Sequence, residues 1–200
     1  MFYIELIAAI FLVIAFIHYL LTKKQDEYKL SLVTNHMYTS EEIKKTLAMG
    51  LYLRFKKEEE EQAKKYSSSY IKENPIQFEL FAASIIEKTK GGSIWVSPAS
   101  NDFGVDFEHS SANGKLYLGQ VKCYQGDLPF DSIALIHSNM IKRSAAGGYV
   151  ITTGSFTYSA KEYAKGLNIE LIDGIALVDL WLSSQSNAEQ EIKKIIPTFT

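Results

Sequence analysis

The chain is poor in cysteine and arginine, and its charges nearly cancel. With Cys123 as the single cysteine no internal disulfide can form, and such usage suits a reducing compartment. Arg54 and Arg143 are the only arginines, and the formal net charge over 200 residues is −2. Composition therefore gives no sign of a broadly basic nucleic-acid-binding surface. From Pro75 to Thr200, 10 Lys and Arg stand against 13 Asp and Glu. Any polyanion must be held there by a local basic strip, a metal or a partner. A glycine-rich phosphate loop is missing too, since Gly91-Gly92 and Gly147-Gly148 read as turn glycines. What the chain does have is apolar mass, 46% hydrophobic with 12 Tyr and 11 Phe. That is enough for one packed domain with an appendage and too little for two full domains.

The appendage comes first. Met1 to Leu21 reads MFYIELIAAIFLVIAFIHYLL, with Glu5 and His18 its only strongly polar side chains. As a helix it would be about 30 Å long, matching a bilayer hydrocarbon core. Glu5 and His18 lie one turn from its ends, within reach of the head groups, whereas a charge at mid-bilayer would cost about 3 kcal/mol. A cleaved signal peptide competes, but it wants a basic start and a small-x-small exit. Neither is present, so residues 1–22 are expected to be a transmembrane helix. Lys23, Lys24 and Lys29 follow the span and predict a single-pass protein of the inner, cytoplasmic membrane with its bulk in the cytoplasm.

Residues 23–74 read as a helical cytoplasmic spacer. Thr39-Ser40-Glu41-Glu42 has the form of a capping box, with Thr39 as N-cap. Ile43, Leu47, Leu51 and Phe55 then recur every fourth residue before a charged run. The plain reading is a half-packed spacer helix; the sharper one is a dimerisation stripe that would make the protein a homodimer.

Residues 75–183 carry the chemistry, and 184–200 read as a tail with one weak amphipathic helix. Asn74 caps and Pro75 opens a helix bearing Phe78, Phe81, Ala82 and Ile85, which Gly91-Gly92 stops. Glu79 faces Ala82, Ala83 and Ile86, an apolar flank unusual for a glutamate, though an exposed boundary charge reads equally well. Strands are expected over 93–97, 104–109 and 116–122, with Asn113-Gly114 marking a hairpin. Asp106 shares a face with Gln120 and Lys122 only if the joining loop has an odd number of residues, and an odd loop is predicted. Phosphodiester hydrolysis wants a hard cation to polarise the phosphate and acidify water. Asp106 supplies a carboxylate, the backbone near Val121 a further oxygen, and Lys122 a charge to orient the water. By spacing alone, an Asp and a Lys on neighbouring strands form an ion pair far more often than an active site.

Asp102-Phe103-Gly104-Val105-Asp106 followed by Gln120-Val121-Lys122 resembles the Mrr-like restriction endonucleases, a branch of the PD-(D/E)xK nucleases with Gln in the middle acidic position. Phe78-Glu79, residues 148–153, Phe156-Thr157, Ala160, Tyr163-Ala164 and residues 169–174 follow in family order. The resemblance implies an α/β fold, a restriction-endonuclease-like central mixed β-sheet flanked by helices. It also implies Mg2+-dependent cleavage of double-stranded DNA, with Mn2+ as a substitute. Carried over by position, Asp106 and Val121 hold the metal, Gln120 lies beside metal and water, Lys122 is the catalytic lysine, and Glu79 supports the metal. Asp102 matches a supporting acid but reads equally as a turn residue. Lys142 and Arg143, at the end of a flanking helix over 132–143, are the best phosphate contacts. The N-terminal third departs from the family, with an anchor where a DNA-reading domain is common.

Other polar residues read more plainly. His137 sits in an apolar helical stretch as a core-edge histidine, Cys123 alternates to the face opposite Lys122, and Thr152, Thr153, Ser155 and Thr157 end a strand and cap a helix. Two functions compete, beside a third reading, an RNA-directed nuclease, since the active-site chemistry does not distinguish the sugar. One is a membrane-anchored Mg2+-dependent endodeoxyribonuclease, in defence against foreign DNA. The other, favoured by the acidic balance, is a tethered docking protein that keeps the nuclease fold without turnover.

Overall fold

The computed structural model describes residues 2–57, 73–98 and 103–195. These form two compact units, Met1–Ser40 and Glu41–Thr200. The first is one helix, α1 (Phe2–Thr39), so Thr39 ends a helix instead of capping the next; its hydroxyl donates to Asn35 O at 2.8 Å. Ile10, Phe11, Leu12, Val13 and Ile14 are all exposed, and five consecutive residues cover every side of a helix. Among the described residues no helix is long and apolar enough to cross a membrane. The run Met1 to Leu21 lies partly outside them, because side chains 2–9 are not described.

In the second unit, α2 (Glu41–Phe55) leads to α3 (Pro75–Lys90). Asn74 Oδ1 accepts from Gln77 N at 3.0 Å, and Gly91, at φ +70°, closes α3 with its N–H on Glu87 O. Such a cap is worth about 1 kcal/mol. Three antiparallel strands follow, β1 (Ser93–Val96), β2 (Phe107–Ser110) and β3 (Leu116–Lys122). The β2–β3 pairing ends at Ser110↔Leu116, so the loop is Ser111 to Lys115, odd in length as the same-face condition requires. Gly114, at φ +76°, donates to Ser111 O, and Ser111 N donates to Lys115 O.

The chain then passes through β4 (Asp127–Leu128) and α4 (Asp131–Arg143) to β5 (Gly147–Thr152), parallel to β3. β6 (Ser155–Phe156), α5 (Tyr158–Ala164), β7 (Ile169–Ile172) and α6 (Gly174–Ile195) complete it. The main sheet is mixed, in the order β1-β2-β3-β5-β7, and β4 pairs with β6 apart from it. All six residues of β5 are buried, as expected of a parallel strand covered on both faces. Tyr149 and Ile151 join one core with α2, α3 and α6, while Val150 joins a second with α4 and α5.

Two expectations about the flanks change. α2 is not a free spacer: Leu51 and Phe55 of its stripe are buried within this chain, so they are not available to a second copy. Phe55 meets Phe78 at 5.2 Å and Phe81 at 5.3 Å between ring centroids, and Phe81 meets Trp181 edge-on. Arg54 pairs with Glu73 and ties α2 to the start of α3. The boundary at 183 also falls inside α6, which runs on to Ile195.

Candidate active site

β2 starts at Phe107, later than the 104 read from sequence, because the chain turns there. Phe103 and Gly104 take φ of +51° and +79°. A Cβ on Gly104 would lie 2.2 Å from Leu135 Cδ2 and 3.1 Å from Gln120 Nε2, so both its conformation and its surroundings require glycine. Asp106 already runs along β3, with its N–H on Gly119 O at 2.8 Å. Extending the register Phe107↔Gly119 by one residue sets Asp106 level with Gln120, and Lys122 lies two residues on, on the same face.

Asp106 is 5% exposed, and its Oδ2 accepts from Val121 N at 2.5 Å. That charge-assisted bond fixes the carboxylate against the strand carrying the other two residues. Gln120 is buried as well, and among the described residues its Oε1 has no hydrogen-bond partner. Leaving such an oxygen unsatisfied costs about 1–3 kcal/mol. Lys122 is exposed at the end of β3, and its ammonium pairs with no described residue. The Asp106–Lys122 ion pair that spacing allowed is therefore not formed.

The remaining candidates are scattered. Glu79 is half-buried on α3, which packs against β1, β2 and β3. Asp102 lies outside the described residues. At the end of α4, Arg143 donates to Glu108 Oε1, and the exposed Lys142 places its ammonium 5.3 Å from the centroid of the Phe103 ring. Both arginines of the chain are thus engaged by glutamates, Arg54 by Glu73 and Arg143 by Glu108. His137 is half-buried on α4, and Cys123 packs against the core on the face opposite Lys122.

The donor set fits a divalent cation. The Asp106 carboxylate and the unpartnered Gln120 Oε1 are hard oxygens of the kind magnesium prefers. Among the described residues no group of three or more His, Cys, Asp or Glu is gathered for a metal, so the set is one acid and one amide. A groove of about 560 Å3 opens between Tyr52, Lys56 and Lys57 of the α2 end and Cys123, Tyr124, Gln125 and Gly126, the residues that follow Lys122.

Two residues that sequence reasoning passed over shape the site. Asn139, buried on α4, donates to Phe103 O at 3.1 Å and to Leu135 O at 3.0 Å. Its signal was a carboxamide among Ile133, Ile136 and Met140 on the apolar stripe. Thr153 accepts from Tyr124 N and donates to Tyr124 O, both at 2.9 Å, holding the loop that follows Lys122. The sequence showed only a strand-ending threonine.

A mixed five-stranded sheet with an aspartate ahead of one strand and glutamine and lysine two apart on the next defines a nuclease-class domain of restriction-endonuclease type. The chain belongs to the restriction endonuclease family Mrr_cat, which matches residues 71–181, just over half of its length. The solved structure of the MspJI restriction endonuclease in complex with a 27-mer oligonucleotide is similar at a TM-score of 0.51 and 21% identity. The match covers 78% of this chain and 35% of that one. The DNA modification-dependent restriction endonuclease AspBHI is similar at 0.49 and 13%, over 76% of this chain and 40% of its own. The chain thus spans well under half of either enzyme. No curated protein matches it.

Proposed function

We propose that the protein is a membrane-anchored, Mg2+-dependent endodeoxyribonuclease acting on double-stranded DNA, with defence against foreign DNA as its role. The observation that carries the reading is the buried, unpartnered Gln120 Oε1 level with Asp106. A fold does not leave such an oxygen unsatisfied without cost, and a cation ligand is a use that offsets it. Asp106 and Gln120 would hold the ion, with Val121 carbonyl and Glu79 in support. Bound there, magnesium would polarise the phosphate and lower the pKa of the attacking water. Asp106 is kept in place by Val121 N–H. Lys122, exposed at the strand end, orients the water and neutralises charge growing on the phosphate as the water oxygen bonds to phosphorus and the P–O ester bond breaks.

Lys142, exposed beside Phe103, supplies a phosphate contact. Lys56 and Lys57 line a groove next to Cys123 and add positive charge in an otherwise acidic domain, which suits a phosphate backbone. Anchoring is supported by the apolar side chains exposed on every side of α1 from Ile10 onward, a pattern that suits lipid better than water.

The test uses the full chain. It should sediment with membranes and be released by detergent; recovery in the soluble fraction would remove the anchor and leave the nuclease standing. Detergent-extracted protein is then incubated with supercoiled plasmid, with Mg2+, with Mn2+ or with chelator, beside Asp106→Ala and Lys122→Ala. Nicking or linearisation should need the metal and fall roughly 100-fold or more in either variant. No cleavage by the wild-type chain of modified, unmodified or single-stranded DNA, or of RNA, would favour the docking reading.

A further inference from the structure

We infer that Asn139 and Arg143, one turn apart on α4, are positioning residues that grip the chain on either side of Asp106 and set the metal ligand in place. The inference rests on the nuclease reading and deepens it. Upstream of Asp106, Phe103 and Gly104 follow each other with positive φ, a path that a non-glycine residue such as Phe103 adopts only when something holds it. Asn139 Nδ2 supplies the hold, donating to Phe103 O at 3.1 Å from a buried position. Leu135, one turn earlier on the same stripe, fills the space that a Cβ on Gly104 would need. Downstream of Asp106, Glu108 receives the Arg143 guanidinium. Positions 135, 139 and 143 are spaced by four, so one face of α4 touches the segment before and after the aspartate.

This arrangement gives Arg143 a different task from the phosphate contact expected of it. Its guanidinium is committed to Glu108 and acts on the reaction through the backbone that bears Asp106. A ligand must be held within about half an ångström of its working place, and losing such support typically weakens metal affinity or activity about 10- to 100-fold.

The test reads metal binding apart from catalysis, by Mn2+ titration followed by electron paramagnetic resonance on the full chain in detergent. Asp106→Ala marks the loss of the site. Asn139→Leu and Arg143→Met should each raise the Mn2+ Kd about 10-fold or more and lower kcat with little change in KM for DNA. Arg143→Lys, which keeps the charge, should recover most of both. Arg143→Glu should fail, and Glu108→Arg combined with it should restore metal binding, since the pair is remade with its charges exchanged. Wild-type Kd and kcat in folded Asn139→Leu and Arg143→Met would overturn the inference. So would a rise in KM alone for Arg143→Met together with no rescue of Arg143→Glu by Glu108→Arg, which is the signature of a phosphate contact. A wild-type chain that binds no Mn2+ and cuts no DNA would instead sink the nuclease reading itself.

Discussion

The two ends of the β2–β3 hairpin both bury polar side chains, and they treat them in opposite ways. At the loop end His109 is 1% exposed, with Nε2 at 2.7 Å from Gly91 O and Nδ1 at 3.1 Å from Tyr149 Oη. A carbonyl can only accept, so Nε2 carries the proton and the tyrosine hydroxyl donates to Nδ1. Burial first, then Glu170 and Tyr117, push the Tyr149 hydroxyl up to about 12, so that its proton stays in place. Every polar group of that set has a partner. At the other end Asp106 is bonded, but Gln120 Oε1 faces no donor among the described residues. Burial is common to both ends; the open valence is at one of them, and the proposed metal site rests on it.

The contrast can be broken at three points. His109→Leu should cost about 2–3 kcal/mol of stability, because Gly91 O and the Tyr149 hydroxyl both lose their partner. Metal-dependent cleavage by the folded fraction should be nearly unchanged. Urea unfolding of the full chain measures the first and the plasmid assay the second; a cost under about 0.5 kcal/mol would mean the loop-end network contributes little. Gln120→Leu should do the reverse. Removing an unsatisfied oxygen from a buried position should leave stability level or raise it by up to about 1 kcal/mol, while cleavage collapses. A destabilisation matching that of His109→Leu would show that Gln120 is structural.

The smallest effect concerns alkaline pH. Tyr149 has a folded pKa of about 12, above the ordinary value of about 10. Its protonated form therefore contributes stability that is fully present below pH ~10 and is lost as pH rises through ~12, on the order of 2 kcal/mol. Tyr149→Phe lacks that component, so its unfolding free energy should fall less steeply between those limits. Parallel pH curves for the two proteins would reject the linkage.

What was legible beforehand was what neighbours in sequence decide. Asn74, Pro75 and Gly91 set both ends of α3 because caps and turns act over a few residues. β3 was readable from Leu116 to Lys122, and parity set the condition, an odd loop, under which Asp106 shares the face of Gln120 and Lys122. Partners far apart in the chain were not readable. The α2 stripe showed an apolar face but not that Phe78, Phe81 and Trp181 cover it. Arg143 looked like a phosphate ligand because nothing local says that Glu108, 35 residues earlier, comes to meet it. Asn139 looked incidental for the same reason, since its acceptor is the Phe103 carbonyl.

Gly119 has a quieter role in this hairpin. A Cβ there would lie 2.1 Å from Phe107 Cζ, so the ring lies flat across the neighbouring strand. The ring thereby ties β2 to β3 within the stretch of sequence that also holds Asp106, Gln120 and Lys122. Contacts this local close a short loop and form readily during folding, before the parallel pairings of β5 and β7 that need long connections. The three candidate site residues are thereby assembled within one contiguous stretch of 17 residues, Asp106 to Lys122. The helices that cover them, α3, α4 and α6, are drawn from stretches on either side of that piece.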